Sequence, residues 1–219
     1  MTQLSGVLTL VYDMLVNSFN SLTEQAPIWP TEQAPDRKLT LALHSLRLIN
    51  YVAYIDTKLL QSTLTADEML PLQLRHVCSY LISYLNQTQF KIIEQKQIAL
   101  AVCEQRSLIS SKDDNDLLKN ELMNEIILLL GNFAYLNKDN QLLLMSGRQP
   151  SIIEQLVALP FDYFARQRLK LVLMPTLISC AYQNDQICAL ICQEMSLSML
   201  TSFIEVGLAL NGISFASRA

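Results

Sequence analysis

The chain is poor in the residues that make turns: its 219 residues include only 5 Gly and 7 Pro. That scarcity excludes a fold of many tight hairpins, and no long alternating Val/Ile/Thr run closes on an Asn-Gly or Asp-Gly turn. Charge is scarce as well. Only 16% of residues are charged, with a net charge of −4 and a pI near 5.2. A generic nucleic-acid binder needs a concentrated basic face, and this balance argues against one. Histidine is limited to His44 and His76. There is no Gly-rich phosphate loop, no Gly-x-Ser-x-Gly elbow and no His-Glu-x-x-His pair. Long apolar runs are missing too: one of the longest charge-free stretches, residues 171–184, contains Pro175. A membrane span needs about 18 or more apolar residues, so no membrane insertion is expected. The opening "MTQLSGVLTLVYDMLVNSFN" lacks a basic region and a cleavage site, so we read no signal peptide and expect a soluble, cytoplasmic chain. Five cysteines, an odd number, then suggest reduced thiols.

What is abundant is apolar helix. Hydrophobic residues make up 51% of the chain and the mean hydropathy is +0.24, which implies a large, mostly helical interior. The 3.6-residue period predicts helices over about 5–20, 39–55, 57–64, 72–85, 87–108, 118–133, a short one through Met145, and 169–182. A further helix is expected from Pro150, and a short-and-long pair over 186–204. "SSKDDND" at 110–116 reads as a loop and helix start, and the proline-rich stretch 23–36, with Trp29, as a loop. One phrase recurs. Ala-Tyr pairs at Ala53, Ala134 and Ala181 each close a predicted long helix and lead into a polar turn, at spacings of 81 and 47 residues. With 81 taken as about two units, this approaches the armadillo and HEAT period of roughly 40–47 residues. The expected fold is an all-α, armadillo/HEAT-like helical-repeat solenoid. It would form a single domain over 1–206, with a probable insertion at 87–115 and a tail at 207–219.

Chemistry-bearing residues are few. A cysteine-dependent hydrolase would need a thiol paired with His76, and nothing in the spacing asks for it. Cys188 and Cys192, four apart, could join Cys180 in a thiolate cluster, but a structural zinc wants four ligands and no fourth is evident. Buried cysteines acting as small hydrophobes are the simpler reading, and we expect no catalytic, metal or cofactor site. Basic residues gather once, as Arg166, Arg168 and Lys170 in "FARQRLK", with Arg148 near the preceding helix break. In a loop between repeat helices these four would form part of a partner-facing surface, including a possible ribosomal RNA contact. "RSLI" at 106–109 fits a cyclin-docking pattern that arises often by chance. Armadillo proteins that bind extended peptides clamp them with an Asn near the end of each long helix. The matching positions here are Tyr51, Asn132 and Ser179, so a regular peptide ladder is not expected.

Two passages carry a more specific likeness. "LHSLRLINYVAYIDTKLLQSTL…LPLQLRHVCSYLISYL" and "DNQLLLMSGRQPSIIEQLVALPFDYFARQRLKLVLMPTLISCAYQNDQICALICQEMSLSMLTSFI" closely resemble the C-terminal region of the S phase cyclin A-associated protein in the endoplasmic reticulum family. "SGRQP", "LPFDYF" and "QEMS" are the most specific parts. The resemblance implies a non-enzymatic adaptor at the cytosolic face of the endoplasmic reticulum. It also implies cyclin A, a ribosome-bound adaptor and a deadenylase complex as partners, the last two in regulated decay of tubulin messenger RNA. The family's zinc-finger and cyclin-binding segments have no counterpart in this sequence, so no zinc or cyclin site is carried over.

Overall fold

The computed structural model describes residues 36–66, 68–101 and 110–195, with isolated positions at 6, 10, 13, 14, 201 and 204. The proline-rich loop before Asp36, Trp29, Cys103 and the 207–219 tail lie outside the described residues, as does most of 5–20 and of 196–206. Every regular element among the described residues is a helix. In chain order they are α1 (Asp36–Ile55), α2 (Thr57–Leu64), α3 (Met69–Ala101), α4 (Ser110–Ala134) and α5 (Lys138–Met145). There follow α6 (Ile152–Val157), α7 (Asp162–Ala165), α8 (Gln167–Ala181) and α9 (Asp185–Glu194). The fold is all-α.

Periodicity places the core. Along α1, Leu39, Leu43, Leu46, Ile49 and Ala53 recur at helical spacing and are buried. They pack against α4, which also packs against α8. Because α4 touches a long helix on each flank, its buried face is wide. Leu122, Met123, Ile126, Ile127, Leu129, Leu130 and Phe133 are all at or below 1% exposure, while Leu128 is exposed and Asn124 and Glu125 are half-buried. The helix expected over 118–133 is thus two-faced, with a narrow solvent strip. Polar side chains tie α1 to α4 along their exposed seam. Arg47 pairs with Glu121 at 2.8 Å and with Glu125 at 3.5 Å. Asn50 donates to the Glu125 carbonyl at 2.9 Å and to its carboxylate at 2.8 Å. On the other flank Gly131 lets α8 come close: a Cβ there would sit 2.7 Å from Thr176 Oγ1. Thr176 donates that hydroxyl to the Ile127 carbonyl of α4 at 2.9 Å.

The recurring Ala-Tyr phrase has a local cause. Each of α1, α4 and α8 runs into a capping residue that starts a short helix. Asp56, Asn137 and Asn184 have extended backbones, and their side chains accept from Leu59, Asn140 and Ile187 N–H respectively. Such caps satisfy otherwise orphaned donors. In the second and third copies a left-handed residue, Leu136 (φ 52°) and Gln183 (φ 56°), turns the chain just before the cap. In the first copy α1 continues to Ile55 instead. A glutamine on each of two short helices then reaches the end of another long helix, α4 for the first and α8 for the second. Gln61 of α2 donates its amide to the carbonyls of Asn132 and Tyr135 at 3.0 and 2.8 Å. Gln141 of α5 donates to Ser179 and Tyr182 carbonyls at 3.0 and 3.1 Å. These carbonyls have no intrahelical partner, so the amides finish helices they do not belong to.

Several local expectations change. Residues 72–85 and 87–101 form one continuous helix, α3, with no break at Asn86. "SSKDDND" is helical from Ser110, because acidic residues suit a first turn. Pro150 precedes α6 rather than opening it: Ser151 is the cap, in a full capping box with Glu154.

Candidate functional site

Two groups of basic residues stand apart. The first gathers where α5 breaks. Gly147 takes a left-handed conformation (φ 96°) that a side chain would strain. A Cβ there would also collide with the Arg75 guanidinium, which lies across the loop from α3. Arg75 donates to Ser146 Oγ at 3.0 Å, and its other terminal nitrogen lies 3.2 Å from His76 Nε2. Between Arg75, His76 and Ser79 of α3 and Ser146, Arg148 and Ser151 of the break is a hollow of about 30 Å³. No carboxylate lines it. The pKa of His76 is lowered, first by what burial it has and then by the neighbouring Arg75 charge. Of the four basic residues singled out in the sequence, Arg148 alone lies here.

Arg166, Arg168 and Lys170 sit elsewhere, and not in a loop. Arg166 joins α7 to α8, while Arg168 and Lys170 occupy the first turn of α8. The short α7 fills the stretch where a free loop was expected, because Asp162 to Ala165 close one helical turn onto Pro160 and Phe161. Arg166 pairs with Asp162 at 2.9 Å, with both side chains largely exposed. Arg168 is exposed and Lys170 half-buried. No acidic residue accompanies them in that first turn. Cations there oppose the helix macrodipole by about 0.3–1 kcal/mol, so helix stability does not account for them.

The thiols do not assemble. Cys78 and Cys180 are fully buried, and burial pushes each pKa up to about 12, so neither supplies a thiolate near neutral pH. Cys78 lies two residues from His76 on the same helix, hence on the opposite face. Cys188 and Cys192 are exposed. Among the described residues no group of three or more His, Cys, Asp or Glu is placed to hold a metal ion, and no helix is long and apolar enough to cross a membrane.

The third feature escaped sequence reading. The tyrosines of the three Ala-Tyr pairs, Tyr54 (90% exposed), Tyr135 (51%) and Tyr182 (49%), all project to solvent from the ends of α1, α4 and α8. Those helices pack in that order, α1 on α4 and α4 on α8, so three packed helices each carry an exposed tyrosine at their end, and Tyr51, Ile55 and Leu136 are exposed as well. The repeat itself was the available signal. Ala53 and Ala134 are buried and Ala181 is half-buried, whereas the tyrosines face solvent, as the helix period requires of neighbours in sequence. At the clamp positions Tyr51 is exposed, while Asn132 is half-buried with its amide 3.4 Å from Asn50 Oδ1.

No protein-family model matches the chain. It is 31% identical over 204 residues to the human S phase cyclin A-associated protein in the endoplasmic reticulum. That match takes in 93% of this chain but 12% of the relative. Over almost its whole length, then, the chain is similar to one region of that much larger protein, the likeness its "SGRQP" and "LPFDYF" passages carry.

Proposed function

We propose that the chain is a non-enzymatic protein-interaction scaffold whose helices stack as an armadillo/HEAT-like solenoid, in one domain over 1–206 interrupted near 87–115. The exposed tyrosines at the ends of the packed helices α1, α4 and α8 carry this reading. Aromatic side chains are costly to leave in water, and exposed clusters of them mark binding surfaces. The recurring helix, cap and short helix favour a repeat, since each unit buries its face only against its neighbours. Inert buried thiols support a role without catalysis. The relative's name points to cyclin A and the endoplasmic reticulum as the partner and place. A finer role, joining a ribosome-bound adaptor to a deadenylase complex in tubulin messenger decay, follows only from the family resemblance.

Affinity purification from cells, scored for cyclin A, ribosomes and deadenylase subunits, tests the scaffold. Replacing Tyr54, Tyr135 and Tyr182 together by alanine should deplete the captured partner about tenfold or more, as aromatic anchors typically do. Unfolding temperature should barely change, because these rings are exposed. Undiminished capture by this variant removes the tyrosines from the reading.

The helix-start cations favour a second contact, with ribosomal RNA. Reversing Arg166, Arg168 and Lys170 to glutamate should weaken ribosome binding and flatten its salt dependence, since each lost phosphate contact releases fewer counterions. Stability should move by less than about 1 kcal/mol, as expected for exposed charges. Equal co-sedimentation of variant and parent at every salt concentration would exclude the contact.

A further inference from the structure

We infer that the hollow at the α5–α6 break is a receptor for a phosphorylated serine or threonine of a partner protein. This deepens the scaffold reading by naming the chemistry at one point of the surface, yet the site stands or falls by itself. Three observations converge. Two guanidiniums from elements far apart in sequence, Arg75 and Arg148, line one small space that holds no carboxylate. Neither forms an ion pair within the described residues, so two like charges share the hollow without compensation. Arg75 is also fixed in place. It lies over Gly147, donates to Ser146 Oγ and abuts His76. A guanidinium has five N–H donors, so others remain for a ligand. Burial first, and then the Arg75 charge, lowers the pKa of His76 beside them.

The size and surroundings select the ligand. About 30 Å³ admits one small polar group, not a run of nucleotides. No aromatic ring lines the space, and single-strand nucleic acid sites use such rings for stacking. A phosphomonoester carries roughly −1.5 to −2 charges at pH 7 and three acceptor oxygens. It therefore matches two arginine forks, with Ser79 and Ser151 beside them, better than a single carboxylate does.

The test uses the whole chain with labelled arginine side chains, followed by NMR at Nε. Probes are inorganic phosphate, a degenerate phosphoserine peptide mixture, its unphosphorylated counterpart and a short single-stranded RNA. Inorganic phosphate and the phosphopeptides should shift the Arg75 and Arg148 signals saturably. Phosphorylated peptides should bind at least about tenfold tighter than unphosphorylated ones, the difference expected of charge-assisted pairs. Arg148→Gln should abolish that preference without altering thermal unfolding, because Arg148 is exposed and forms no ion pair among the described residues. Arg75→Lys provides a second variant that keeps the charge but loses the fork, and it should reduce the preference too. Absence of saturable shifts, equal binding of unphosphorylated peptide, or tighter binding of the RNA would each overturn the assignment. The scaffold reading would survive any of these, since it rests on the tyrosines.

Discussion

Replacing Phe133 with alanine should cost about 3–5 kcal/mol, the range for emptying a buried aromatic site. Phe133 heads the largest fully buried side chains among the described residues and lies in α4, the helix packed against both α1 and α8. Its carbonyl also accepts from Asn140 at 2.9 Å, so the site anchors the helix end as well as the core. For a chain of this size 1 kcal/mol corresponds to roughly 2–4 °C, so the midpoint should fall by on the order of 10 °C or more. Thermal and urea unfolding followed by circular dichroism read this directly. A fall of only a degree or two would place Phe133 outside the core.

Gly131→Leu should be nearly as damaging, for the opposite reason. Its Cβ alone would stand 2.7 Å from Thr176 Oγ1 and 3.3 Å from Thr176 Cα, which is backbone and cannot swing aside. Overpacking of this kind costs about 1–3 kcal/mol and sometimes more. Here the push also threatens the Thr176 bond to the Ile127 carbonyl, so about 3 kcal/mol is expected. The gain in helix propensity on removing a glycine, about 1 kcal/mol, recovers part of the loss only if α8 can retreat. A urea midpoint unchanged from the parent would mean that α4 and α8 do not meet at this glycine.

How far these features can be read from residues alone depends on how local their causes are. The α1 core positions Leu39, Leu43, Leu46, Ile49 and Ala53 follow from the helix period, and the 57–64 helix follows from its Asp56 cap and apolar spacing. The Ala-Tyr turns are legible for the same reason, since cap, turn and short helix lie within a few residues. Burial of α4 on both flanks is not local. It depends on α1 and α8 arriving together, and periodicity cannot report a second neighbour. The polar stretch from Ser110 misleads because acidic residues favour both loops and helix starts. The basic hollow was invisible for a further reason: Arg75 and Ser146 are 71 residues apart and meet only where α3 packs against the end of α5. Gly147 in "SGRQP" was the one local clue, because its freedom from a side chain makes room for that arginine.

The ties between long helices have a consequence for how the sequence can vary. Arg47, Asn50 and Gln61 reach Glu121, Glu125 and Asn132 of α4 through space, so side chains of α1 and α2 hold α4 in its seat on α1. The two Ala-Tyr intervals of 81 and 47 residues fit the same helix-end design for this reason. A change of length in the sequence joining α3 to α4 leaves these seating contacts where they are, so the chain can vary there while the stacked helices keep their register.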